Sequence, residues 1–285
     1  MRKRLLAAAA AVFTVAGLAF AAAPAQASTG GAIDGDQHPD VGLIAFYDGT
    51  GRYRCSATLV SPTVVITAAH CTFGTLGKTL VTFDTFIDDA PPSVLPVAAD
   101  PAAGYTSAEL AAAGYLSGTA HTHPDYSDFT DLKNWNDVGV IVLDEPVASH
   151  SADGYPAIAE TGTADLIPQK AYKDTLFRAV GYGTEVRQAD TGAQKPTPQS
   201  YPIVRRYVDM PAQKITPQVI QTNGNEKDPW GTGGTCFGDS GGPLLLDDEL
   251  VGVTSYGYTS NCRYLDGYQR VDIPVVEEWL DTFGL

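Results

Sequence analysis

An all-β fold is the expectation for this chain, and three features carry it. Val, Ile, Thr, Tyr and Gly are frequent, short apolar runs recur between turn signals, and no helical period separates one run from the next. The runs are Val41–Phe46, Ser56–Val60, Thr63–Thr67, Val138–Leu143, Leu176–Val180, Ile203–Val208, Pro243–Leu246 and Leu250–Ser255. Each has the length of a strand, and their succession without crossover helices predicts antiparallel sheet. One stretch differs. In Ile273–Phe283, Val275, Val276, Trp279 and Leu280 fall at helical spacing, which predicts a single closing helix.

Ahead of these strands, Met1-Arg2-Lys3-Arg4 forms a basic n-region, an apolar run follows from Leu5 to about Ala23, and Pro24-Ala25-Gln26-Ala27 supplies an Ala-x-Ala cleavage site. Residues 1–27 therefore read as a secretory signal peptide rather than a transmembrane anchor, and a secreted, extracellular location is expected. No second apolar span follows, so no membrane association is expected after cleavage. The net charge is −15, and losing the three basic residues of that segment takes it to −18. Such a balance disfavours nucleic acid and anionic membrane surfaces as partners and favours solubility.

Four cysteines, Cys55, Cys71, Cys236 and Cys262, all follow the cleavage site. An even number in an exported chain implies two disulfides, with three pairings open. No Cys-x-x-Cys or close Cys/His cluster argues for zinc, and His121-Thr122-His123 lacks a third ligand. Asp84, Asp88 and Asp89 match no calcium-loop spacing. The stretch Asp84–Thr119, with Pro91-Pro92, alanine runs and acidic residues, reads as a solvated surface loop.

Chemistry concentrates in three short segments. Gly238-Asp239-Ser240-Gly241-Gly242-Pro243 sets a serine among glycines, where the N–H groups of Gly238 and Ser240 can serve an oxyanion and a substrate carbonyl can approach the main chain. Thr67-Ala68-Ala69-His70-Cys71 ends an apolar run with a histidine, the side chain suited to proton transfer near neutrality. Asn136-Asp137-Val138 places one carboxylate at the mouth of another apolar run, where a buried aspartate can orient an imidazole.

In the chain order His, Asp, Ser, these motifs resemble the trypsin/chymotrypsin family of serine proteases, from roughly Ser28 to the C-terminus. The resemblance implies one protease domain over 28–285, built as two packed six-stranded antiparallel β-barrels with a C-terminal helix and a crossover at about 146–172. His70 and Asp137 would come from the first barrel and Ser240 from the second. It implies the pairings Cys55–Cys71 and Cys236–Cys262. Compared with compact family members, Asp84–Thr119 carries an insertion.

Further site residues follow from the same resemblance. In the family, the carboxylate matching Asp239 pairs with a new α-amino group. Here Ser28-Thr29-Gly30-Gly31 stands where Ile-Val-Gly-Gly is usual, and a second register begins at Ile33. The primary substrate pocket maps to Gly234, Thr235 and Cys236 at the base, Ser255-Tyr256-Gly257 on one wall and Leu265-Asp266-Gly267-Tyr268 on the other. Gly234 replaces the aspartate of trypsin-like enzymes, and with Asp266 the arrangement is similar to that of brachyuran collagenolytic serine proteases. That similarity implies a roomy pocket for apolar and basic side chains.

The reading is a secreted serine endopeptidase acting on protein or peptide substrates as a monomer, with no cofactor and no metal. Two alternatives stand beside it: a secreted esterase using the same triad, and a catalytically inactive binding homologue, although no triad residue is missing.

Overall fold

The computed structural model describes residues 31–88, 93–187, 197–199, 203–225, 228–260 and 262–285. The signal segment, Ser28-Thr29-Gly30 and Asp89 lie outside the described residues. After β1 (Ala32–Ile33), the chain forms β2 (Val41–Tyr47), β3 (Arg52–Leu59), β4 (Val64–Thr67), β5 (Leu76–Thr82), β6 (Phe86–Ile87), β7 (Leu116–Thr122) and β8 (Gly139–Leu143). Residues 144–175 then carry it to β9 (Leu176–Gly181), β10 (Glu185–Arg187), β11 (Thr197–Gln199), β12 (Ile203–Val204), β13 (Arg206–Ile215), β14 (Val219–Asn223), β15 (Pro243–Leu246), β16 (Glu249–Gly257) and β17 (Leu265–Arg270).

Two closed antiparallel barrels result. The first runs β2-β3-β4-β8-β7-β5. The second runs β13-β14-β17-β16-β15-β9 and closes through β9 on β13, with β1 added at the outer edge of β13. The expected helix is α2, which follows the barrels at Pro274–Leu280 and begins with Pro274 in the first turn, where its missing N–H costs nothing. No helix among the described residues is long and apolar enough to cross a membrane.

Strand alternation decides where the core lies. In β2, Ile44 and Phe46 point into the first barrel with Cys55, Ala57, Leu59, Val65 and Ile141, whereas Val41, Leu43, Ala45 and Tyr47 point the other way. That second face joins Val180, Tyr182, Leu245 and Val253 of the second barrel in a continuous apolar seam. The second barrel keeps its own interior of Phe177, Ala179, Val208, Met210, Ile220, Leu244 and Val251. Because β2 is buried on both faces, it reads as an unbroken apolar run rather than an alternating one.

The stretch Asp84–Thr119 corrects the sequence reading. It is not a solvated loop throughout: Leu95, Ala98, Tyr105 and Leu110 are buried in the seam cluster. The Ala98 N–H donates to the Tyr47 hydroxyl, and the Tyr105 ring meets that of Tyr47 edge-on at 4.9 Å. A short helix, α1 (Ser107–Ala112), starts from a capping box in which Thr106 accepts from the Glu109 N–H and Glu109 accepts from the Thr106 N–H.

Candidate active site

His70 and Asp137 flank two paired strands, β4 and β8. A single 3-10 turn, Ala69–Cys71, follows β4, and Asp137 stands two residues before β8, which pairs with β4. The disulfide Cys55–Cys71 ties that turn to β3, and Cys236–Cys262 ties the serine loop to the segment before β17, so both expected pairings are present. Asn136 adopts a positive φ of 46°, a region that asparagine tolerates, and its side-chain amide donates to the Asp125 carbonyl. Asp137 is thereby turned inward and fully buried.

The Asp137 carboxylate collects three donors. The His70 N–H donates to Oδ1 at 2.9 Å, His70 Nδ1 donates to Oδ2 at 2.9 Å, and the Ser255 hydroxyl donates to Oδ2 at 2.6 Å. Its own N–H donates to Gln269 Oε1. An ionised carboxylate only accepts, so the geometry assigns the imidazole proton to Nδ1 and leaves Nε2 as the acceptor. Burial works against the imidazolium, but the charge and hydrogen bond of Asp137 outweigh it and hold His70 above its ordinary pKa.

The half-buried Ser240 lies on a loop held from both barrels. The Ser56 N–H donates to the Ser240 carbonyl, and the Ser56 hydroxyl donates to the Gly238 carbonyl while accepting from the Tyr182 N–H. Gly238 has φ +101°, a conformation that only glycine adopts without strain. Among the described residues, the N–H groups of Gly238 and Ser240 have no acceptor. Asp239 turns away from them into the protein, where Oδ1 accepts from the Gly183 N–H and Oδ2 from the Cys236 N–H, each at 2.8 Å. A Cβ at Gly183 would come within 2.1 Å of that carboxylate, so glycine is what permits the approach.

Beside Ser240 lies a cavity of about 330 Å³ lined by Thr235, Ser255, Tyr256 and Gly257, with Phe237 and Tyr258 at its rim. Gly234 and the whole expected wall Leu265-Asp266-Gly267-Tyr268 do not line it. Gly234 packs against the Gly224 backbone, and Asp266 lies one layer behind, opposite Gly257 in the β16–β17 register, with its carboxylate accepting the Thr235 N–H at 2.7 Å. The reason is the buried floor: Gly224 leaves no side chain there, and the carboxylate occupies that space. Burial lifts the Asp266 pKa from 3.8 to about 7, the nearby Asp239 charge adds to the rise, and the Thr235 hydrogen bonds only partly oppose it.

The remaining histidines have structural partners. His123 uses both ring nitrogens, Nδ1 accepting from the Asp125 N–H and Nε2 donating to the Val275 carbonyl, while burial lowers its pKa. His121 packs edge-on against Phe283, His38 meets Asp34 and His150 meets Asp40. Cys55, His70 and Cys71 lie close together, but both sulfurs are committed to the disulfide. Ser56, Trp135 and Gln269 belong to the site and carry no motif that marks them in the sequence. Ser56 offered one signal, a polar residue directly after a cysteine in an apolar run.

The trypsin family model matches residues 35–280. The chain belongs to the trypsin family. Within it, the chain is 29% identical over 244 residues to a brachyurin of Leptuca pugilator, covering 81% of this chain and 87% of that protein. It is 27% identical over 219 residues to a trypsin of Saccharopolyspora erythraea, covering 75% of this chain and 80% of that protein. The fold is similar to that of a solved HL collagenase, with a TM-score of 0.59 at 17% identity over 91% of this chain and 99% of that one. The structure of human heparin binding protein is also similar, with a TM-score of 0.55 at 17% identity over 89% and 95%.

Proposed function

We propose that this trypsin-family chain is an exported serine endopeptidase of broad primary specificity. The observation that carries the proposal is the hydrogen-bonding of His70: Nδ1 donates to a buried carboxylate, and Nε2 has no partner among the described residues. In this reading Ser240 Oγ attacks the scissile carbonyl carbon while His70 Nε2 takes the hydroxyl proton. The N–H groups of Gly238 and Ser240 receive the oxyanion, and the tetrahedral intermediate collapses as His70 returns its proton to the leaving amine. Water then repeats the cycle on the acyl-enzyme, so no cofactor enters. Asp137 keeps the imidazole in the required tautomer.

The roomy cavity takes apolar side chains, and the Asp266 carboxylate behind Gly257 favours a basic one when ionised. Signal cleavage after Ala27 leaves Ser28 as the first residue, whose amine is the proposed partner of Asp239. The product is a monomer outside the cell that acts on protein or peptide substrates.

Ser240→Ala is the direct test. It is expected to abolish covalent labelling by a serine-directed phosphonylating reagent and to lower peptide turnover by about 10⁴-fold or more. Labelling that persists on another serine sinks the assignment.

A further inference from the structure

Trp135 lies two residues before Asp137, buried to 6% exposure. Its indole Nε1 is 2.9 Å from Ser255 Oγ, and Ser255 Oγ is 2.6 Å from Asp137 Oδ2. The direction of both hydrogen bonds follows from what each group is able to do. Indole N–H only donates and an ionised carboxylate only accepts, so the Ser255 hydroxyl must accept from Trp135 and donate to Asp137. We propose that Trp135 is a positioning residue of the catalytic apparatus: its N–H occupies a lone pair of Ser255 and thereby aims the Ser255 O–H at the carboxylate that orients His70. This inference rests on the triad reading above.

One further observation and two physical arguments support it. The Asp137 carboxylate meets His70 Nδ1 with both oxygens, at 2.9 Å and 3.2 Å, so a small rotation of the carboxylate redistributes that bond. Ser255 is the donor that holds Oδ2 from the far side, and a Ser255 hydroxyl freed from Trp135 regains its rotation. Donors in series also polarise one another, which strengthens the terminal O–H···O⁻ bond in a buried setting.

The indole is itself clamped. Phe129 and Tyr256 meet it edge-on at 5.2 Å and 5.3 Å. Phe129 has φ +60° and follows Asp128 at φ +47°, a backbone that is costly for a bulky side chain and that persists only where surrounding packing enforces it. The same Phe129 ring lies 5.6 Å from the His70 ring. Strain in this loop is thus coupled to the placement of one aromatic ring against both the indole and the imidazole.

Trp135 does not line the cavity beside Ser240, whereas Tyr256 does. Loss of the N–H alone is therefore expected to lower kcat and spare KM. The variant that removes only the donor is Trp135 replaced by 3-benzothienylalanine, in which sulfur takes the place of N–H and the bicyclic shape is kept; Trp135→Phe is its simpler companion. The expected loss in kcat is about 10-fold, the step that 1.4 kcal/mol represents, with KM within about 2-fold. On a Ser255→Ala background the same replacement is expected to change kcat by less than about 2-fold, because the route to Asp137 is already cut.

The companion readout is the low-field NMR resonance of the His70 Nδ1 proton, which is expected to move in the benzothienylalanine variant and stay put when the replacement is made in Ser255→Ala. An unchanged kcat, a change confined to KM, or additive effects of the two substitutions overturns the proposal. Phosphonyl titration of the wild type runs alongside. Absence of label at Ser240 rejects the triad reading itself, and the proton resonance then still decides whether Trp135 acts on the His70–Asp137 pair.

Discussion

Asp137, just before β8, and Asp266, near the start of β17, are both buried aspartates, one in each barrel, yet their surroundings differ. Asp137 receives two N–H groups of His70 and the Ser255 hydroxyl, while Asp266 receives the backbone N–H of Thr235 and sits near a second carboxylate, Asp239. Burying a carboxylate is costly, and donors offset the cost. At Asp266 burial dominates and its carboxyl titrates at about 7. At Asp137 the donors include an imidazole whose own pKa rises because the carboxylate is there. The lesson is that depth alone does not tell what a buried carboxylate does; its donors do.

The strongest way to break this comparison is Asp137→Asn. An amide in that place offers an NH₂ group where His70 Nδ1 needs an acceptor, so the imidazole is expected to switch tautomer and lose the basic Nε2. Turnover should fall by about 10⁴-fold with the fold intact, the size of effect known for this exchange in a Ser-His-Asp enzyme. A loss under about 100-fold, measured with saturating peptide substrate, removes Asp137 from the role given to it.

How much of this was legible beforehand follows the range of the interactions. Each of the eight apolar runs overlaps a strand, because strands such as β2, β3, β4 and β8 present apolar residues to the seam or to a barrel interior. The runs did not mark β5, β7, β14 and β17, since sequences such as Leu-Gly-Lys-Thr and Leu-Asp-Gly-Tyr mix polar residues into strands that are placed by their neighbours. The packed part of Asp84–Thr119 has no regular period, although Thr106-Ser107-Ala108-Glu109 was a readable capping box. His70, Asp137 and Ser240 could be picked out as candidates because each sits in a short motif. The bonds from Ser255 to Asp137 and from Trp135 to Ser255 span 118 and 120 residues, so only the fold brings these groups together.

Asp266→Ala sharpens the other half of the comparison. If its charge reads the substrate through the wall at Gly257, kcat/KM for substrates with Lys or Arg at the cleaved position should fall by about 10-fold, and that for Leu or Phe substrates should stay within about 3-fold. The predicted effect is moderate because the same burial that strengthens a charge also costs it hydration. Equal losses for both substrate classes would assign Asp266 to the support of the Thr235 loop instead.

The smallest expected effect is a pH dependence of preference, and its sign is fixed by the direction of the shift. The ordinary carboxyl value of 3.8 is raised to about 7 at Asp266, so the side chain is neutral on the acid side of that value and anionic on the alkaline side. Preference for a basic residue should therefore climb as pH rises from 6 to 8. Proton loss from His70 acts on every substrate alike, so the ratio of kcat/KM for a basic substrate to that for an apolar one cancels this common step. The ratio reports ionisation in the free enzyme, and if full charge is worth the tenfold above, it should grow by about fivefold over that interval. In Asp266→Asn it should be flat. A flat ratio in the wild type would mean that the buried carboxylate does not sense the substrate's charge, whatever its substitution does to the rate.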